Sequence, residues 1–129
     1  MPKVLIADDM KVISEMLSCI LQKNGFEVVS QTHCCSTVIE KYKQLNPDLV
    51  VLDLFGMNCY SEKHKKEINS FDVIKELTQK HNAKILVITG TPKDDYINKA
   101  LNNGAKDFFI KSQPIDIFIK KVNDIINYE

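Results

Sequence analysis

Arginine is absent from this 129-residue chain: all 17 basic residues are lysines, and they are matched by 17 aspartates and glutamates. A protein that grips a nucleic acid duplex needs a basic stripe to displace counterions from the phosphates, so direct nucleic-acid binding is not expected. Long apolar runs are missing as well. The longest, such as Leu49 to Leu52, fall far short of the roughly 20 residues that cross a bilayer. Met1 to Ala7 leads straight into two aspartates, with no basic segment followed by an apolar stretch and a small-residue cleavage site, so nothing reads as a secretory leader. The expectation is a cytoplasmic protein without membrane insertion. Four cysteines, Cys19, Cys34, Cys35 and Cys59, form no CxxC pair and have no histidine at zinc-ligand spacing. They read as reduced thiols, with Cys34-Cys35 on or near the second helix and without chemistry. His33, His64 and His81 sit in polar contexts at unrelated positions, and none reads as a ligand or phosphocarrier.

What is present is an ordinary globular composition, 44% hydrophobic and 26% charged, in a length that suits one domain over residues 1–129. Val4 to Ala7, Leu49 to Leu52 and Ile85 to Ile88 are short continuous apolar runs rich in branched residues, as expected of strands covered on both faces. Glu27 to Gln31 and Asp107 to Ile110 are weaker runs that bring the strands to five. Between them, Ile13, Met16, Leu17, Ile20 and Leu21 recur at helical spacing, and so do Ile97, Ala100 and Leu101. The last helix has the clearest stripe: Ile115, Phe118, Ile119, Val122 and Ile126, with Pro114 near its start. Ile117 falls off that stripe and is expected on the surface. Gly25 and Gly104 read as helix stops, and Asn46-Pro47 closes the second helix. Strict alternation of strand and helix implies an α/β fold with a doubly wound, five-stranded parallel sheet. Its crevice lies at the carboxyl ends of the strands, beside the topological switch point.

The strand ends carry the chemistry. The first run ends in Asp8-Asp9, the third in Asp53, the fourth in Thr89 and the fifth in Lys111. Three carboxylates brought to one edge repel one another and need a cation to stay ionised together. A hard, oxygen-seeking ion such as Mg²⁺ suits them. Taken singly, an aspartate here could be a helix N-cap and Lys111 a solvated surface lysine. Their joint placement at successive strand ends favours a site.

At these residues the sequence resembles the CheY-like receiver domains of bacterial two-component response regulators. The matching segments are Ile6-Ala7-Asp8-Asp9, Val51-Leu52-Asp53, Val87-Ile88-Thr89-Gly90 and the stretch from Gly104 to Lys111. The resemblance implies a flavodoxin-like strand order 2-1-3-4-5. It implies Asp53 as the phosphoacceptor, attacking a phosphohistidine on a sensor histidine kinase or a histidine phosphotransfer protein. It further implies Mg²⁺ (or Mn²⁺) held by Asp9, Asp53 and the Phe55 backbone carbonyl, with Asp8 acting through a coordinated water. Lys111 and Thr89 would meet the phosphoryl oxygens. Thr89 and Phe108 would form a switch that remodels the surface of the fourth helix, fifth strand and fifth helix, where a partner reads the signal. Such a protein catalyses only its own phosphorylation and dephosphorylation. With no output domain expected after the fifth helix, it would act by docking.

Two departures qualify the match. About nine residues are inserted near 57–68, before the apolar pattern of Phe71, Val73, Ile74 and Leu77. This segment reads as an excursion beside the site or as an N-terminal extension of the third helix, and a solvated, mobile loop is favoured over a binding element. Lys111 is followed by Ser112-Gln113-Pro114 rather than directly by proline, which leaves a cis bond open only at Gln113-Pro114. Bulky Phe55, two residues past Asp53, should crowd an attacking water and slow loss of the phosphoryl group. The alternative function is a pseudo-receiver that keeps the fold as an interaction module without being phosphorylated. An aspartyl phosphatase of the haloacid dehalogenase type would need a second aspartate where Phe55 stands.

Overall fold

The computed structural model describes residues 1–128. Five parallel strands, β1 (Lys3–Ala7), β2 (Glu27–Thr32), β3 (Leu49–Asp53), β6 (Ile85–Thr89) and β7 (Asp107–Ile110), lie in the order β2-β1-β3-β6-β7. Counting only the strands of this sheet, the order is 2-1-3-4-5, as expected. Five helices alternate with them: α1 (Lys11–Lys23), α2 (Cys35–Leu45), α3 (Ser70–His81), α4 (Asp94–Asn102) and α5 (Ile115–Asn127). Side chains alternate across a strand, and the alternation divides the core in two. Leu5, Val50, Leu52, Ile85 and Val87 pack with Val38, Ile39, Val73, Ile74 and Leu77 on one face. Val4, Ile6, Leu49, Val51, Leu86 and Ile88 pack with Leu17, Leu21, Phe118 and Val122 on the other. Each such side chain, once buried, contributes about 1.5–3 kcal/mol, so the central strands are held firmly from both sides.

Helix ends follow the sequence. Asn46 closes α2 in the left-handed region at φ 47°, and Gly25 and Gly104 follow α1 and α4 at positive φ. Ile117 departs from expectation. It is half-buried against the α1/α5 layer rather than free on the surface. Among the described residues there is no cis peptide bond, so Gln113-Pro114 is trans.

The inserted segment is neither a solvated loop nor part of the third helix. It folds as an antiparallel hairpin of β4 (Cys59–Ser61) and β5 (Lys66–Ile68), pairing Cys59 with Ile68 and Ser61 with Lys66. Met57 and Ile68, at its two ends, are fully buried in the core on the α2/α3 side. Within the turn, His64 Nε2 donates to Glu76 Oε1 of α3 at 2.6 Å, and its Nδ1 pairs with Ser61 Oγ at 2.7 Å. Asn69 then starts α3 with a capping box, exchanging hydrogen bonds of 3.0 Å with Asp72. These anchors leave no room for α3 to extend backward.

Candidate functional site at the carboxyl edge of the sheet

Strand register sets the level of every candidate residue. Ala7 pairs with Leu52, Asp53 with Ile88 and Thr89 with Ile110. Asp8, Asp53, Thr89 and Lys111 therefore emerge within a residue or so of one another at a single edge. Asp8 and Asp53 are buried, at 0% and 5% exposure, and Asp9 lies open to solvent. One carboxylate oxygen from each of the three falls within 4.8 Å of the others.

Lys111 Nζ reaches between the two buried carboxylates, 3.0 Å from Asp8 Oδ2 and 3.2 Å from Asp53 Oδ2. Burial works against its charge, but Asp8 and Asp53 outweigh burial and hold Lys111 above the usual lysine range. Burial first, and then the neighbouring Asp8 charge, push Asp53 from its ordinary 3.8 up to about 7, against the pull of Lys111. One ammonium does not neutralise this corner. Asp8 Oδ1 accepts from Met10 N–H at 2.9 Å, while Asp8 Oδ2 is buried and accepts no well-aligned hydrogen bond, with only the Lys111 charge beside it. Three clustered oxygen donors, with only one ammonium between them, fit a hard divalent cation. Neither aspartate is the N-cap of α1; Met10 occupies that position.

The other expected residues ring the carboxylates, with Phe55 N–H donating to Asp53 Oδ1 at 3.5 Å. Thr89 is fully buried, and its hydroxyl is occupied locally, donating to Thr91 O at 3.2 Å and accepting from Thr91 N–H at 3.0 Å. Phe108 is half-buried against the apolar layer that includes α4's Ala100, with Lys121 Nζ 4.4 Å from its ring centroid. Phe55 is 38% exposed and meets Tyr96 of α4 edge to face at 5.0 Å. A methyl group at Gly90 would meet nothing within 4 Å, so open space lies beside Thr89.

Three contributors are not evident from the strand ends. Gly56 has φ +81°, and a Cβ there would collide with the Asp9 carboxylate. Only glycine lets this loop lie against the acidic cluster. Ser70, at the start of α3, donates from Oγ to the Asp53 carbonyl at 2.6 Å and fixes the backbone of the central carboxylate. His33 Nδ1 pairs with the Asp8 carbonyl at 2.8 Å, so one histidine supports the site from behind. The glycine three residues past Asp53 was the one available signal, because a glycine in a short loop beside a charged strand end suggests close backbone approach.

Known proteins resemble this chain in sequence and in fold. The family described as the response regulator receiver domain matches residues 4–123. The chain is 31% identical over 125 residues to the chemotaxis protein CheY of Bacillus subtilis, covering 97% of this chain and 98% of that one. It is 36% identical over 110 residues to the chemotaxis protein CheY of Thermotoga maritima, 84% of either chain. Among solved structures, the response regulator domain of Thermotoga maritima CheB superposes with a TM-score of 0.82 at 19% identity, over 99% of this chain and 98% of that one. At that identity the last likeness speaks for the fold alone. Sequence, topology and the family match over nearly the whole length agree, and the chain belongs to the response regulator receiver domain family.

Proposed function

We propose that the protein accepts a phosphoryl group on Asp53 from a phosphohistidine of a sensor histidine kinase or histidine phosphotransfer protein, and signals by docking in its phosphorylated form. The observation that carries this reading is a buried carboxylate, Asp53, flanked by a second buried carboxylate and a lysine that bridges them. Asp8, Asp9 and Asp53, with the Phe55 backbone carbonyl as the resemblance implies, would hold Mg²⁺ or Mn²⁺. The ion supplies charge compensation for the phosphoryl oxygens.

The chain's own groups do the rest. Asp53 must be ionised to act as a nucleophile, and without a cation it titrates at about 7, so it is only partly ionised near neutrality. Added positive charge at the cluster brings it fully to the carboxylate. Lys111 holds its ammonium beside Asp53 Oδ2 and offers it to the oxygens that gain charge during transfer. Thr89 contributes by leaving its hydrogen bonds to Thr91 for a phosphoryl oxygen. Phe108 then turns inward, and the α4–β7–α5 surface changes its face to partners. The protein acts on no other substrate: its chemistry is its own phosphorylation and dephosphorylation.

Incubation with phosphoramidate or acetyl phosphate and Mg²⁺, read by intact mass, tests the proposal. One phosphoryl group should appear, labile to hydroxylamine as an acyl phosphate is, and Asp53→Ala should gain none. No added mass in the parent, or equal mass in Asp53→Ala, would leave only a receiver-like interaction module.

A further inference from the structure

Three of the four cysteines gather where the inserted hairpin meets the first turn of α2. Cys34 is the N-cap residue of α2, and Cys59 opens β4. The two backbones are joined there by Cys35 N–H donating to the Met57 carbonyl at 2.8 Å. Both half-buried thiols converge on one hydroxyl: Cys34 Sγ lies 3.5 Å from Ser36 Oγ, and Cys59 Sγ donates to the same oxygen at 3.2 Å. Cys59 Sγ also accepts from Ser36 N–H at 3.2 Å, one of the amides left free at a helix start. Thr37 Oγ1 lies 3.1 Å from Cys34 Sγ.

We propose that Cys34 and Cys59 form a redox-modifiable pair, oxidised by hydroperoxides to a disulfide that ties the hairpin to the start of α2. Nothing in this inference rests on the phosphoryl chemistry, because the pair belongs to the seam between hairpin and helix. Cys34 is the attacking thiol. Burial raises its pKa, but hydrogen bonds from Ser36, Thr37 and Cys59 outweigh burial and bring it from 9.0 down to about 7, so thiolate is present at neutral pH. The thiolate attacks the nearer peroxide oxygen; the O–O bond breaks, a sulfenic acid forms on Cys34, and the leaving oxygen departs as water or alcohol after protonation. Cys59 then attacks that sulfur, its proton leaves with the hydroxide as a second water, and the S–S bond closes. Cys35 stays reduced, being fully buried, with its thiol pushed up to about 12 by burial. Cys19, exposed on α1, is remote in sequence and makes none of these contacts.

The test uses the full chain carrying Cys19→Ser, reduced and then treated with equimolar hydrogen peroxide. Intact mass should fall by two hydrogens, two thiols should become inert to alkylation, and dithiothreitol should restore both. Cys35→Ser should still cross-link. Cys34→Ser should not, and Cys59→Ser should halt at a sulfenic acid on Cys34 that dimedone traps. Peptide mapping of the oxidised parent reads the same bond without any variant in the core. Oxygen addition without hydrogen loss, a bond to Cys35, or cross-linking that survives Cys34→Ser would overturn the proposal.

Discussion

Two regions of this molecule place acidic groups out of water, and they treat them in opposite ways. At the carboxyl edge of the sheet, the buried Asp8 and Asp53 share one lysine, with solvent-exposed Asp9 beside them, and Asp53 is pushed up to about 7. On the hairpin side, a single carboxylate, Glu76, has two cationic or donor partners: His64 at 2.6 Å from Oε1 and Lys63 at 3.6 Å from Oε2, an oxygen that, like Asp8 Oδ2, accepts no aligned hydrogen bond. There burial pushes Glu76 up, but the hydrogen bond and charge of His64, with Lys63 and Lys80, outweigh it and hold it below the usual range. Negative charge in excess of its partners marks a place that expects a ligand. Matched charge marks a seam that stabilises the fold.

Backbone geometry gives the largest way to break this contrast. Gly56→Ala must abandon φ +81° or push the Asp9 carboxylate aside, and it should cost roughly 2–4 kcal/mol in urea melts and lower Mg²⁺ affinity at least tenfold. Gly90→Ala, at the same edge but in open space at an ordinary φ, should change stability by no more than about 0.5 kcal/mol. Equal effects at the two glycines would mean that the loop does not hold the acidic cluster in shape.

That asymmetry also separates what the sequence could show from what it could not. The strands β1, β3 and β6 are unbroken apolar runs, buried along nearly all their length, so their ends, and hence Asp8, Asp53 and Thr89, were legible. Lys111 followed from the end of a shorter run. The hairpin was not legible because each of its strands has only three residues, mostly polar, and its apolar anchors Met57 and Ile68 lie 11 positions apart in sequence with no period between them. Its stability comes from pairing His64 and Cys59 with α3 and α2, which are tertiary contacts. Gly56 shows the same limit, since a positive φ is a property of the folded loop.

Metal loading separates the two regions next. Mg²⁺ at a concentration 100 times its dissociation constant should stabilise the fold by about 2.7 kcal/mol. Asp53→Asn should remove most of that gain, whereas His64→Ala should weaken the fold by roughly 1 kcal/mol and leave the gain intact. Calorimetric titration with parallel urea melts measures both. A metal response that fell in His64→Ala would show that the hairpin belongs to the site.

Acid should then act on the two regions with opposite sign. Asp53 titrates near 3.8 when unfolded and at about 7 in the metal-free fold, so the folded state binds the extra proton between those values. Its contribution is fully present below pH of about 4 and is lost as pH rises through 7; metal-free protein should lose roughly 2–3 kcal/mol from pH 5 to pH 8. Saturating Mg²⁺ or Asp53→Asn should flatten that limb.

Glu76 gives the smallest effect and the converse limb. With its pKa held below the ordinary 4.5, its contribution is present above that value and is lost as pH falls through the depressed pKa. The side chain is 9% exposed, but its Lys63 partner lies out in solvent, and screening there limits the pair. Glu76→Gln should therefore reduce the acid-side loss below pH 4.5 by about 1 kcal/mol or less relative to the parent, and leave the limb between pH 5 and 8 untouched. The two groups together then favour the metal-free fold most near pH 4, between a site relieved by protons and a seam that protons break. If Glu76→Gln instead altered the limb near pH 7, the two charge systems would be coupled through α3, whose Ser70 holds the Asp53 carbonyl and whose Glu76 holds the hairpin.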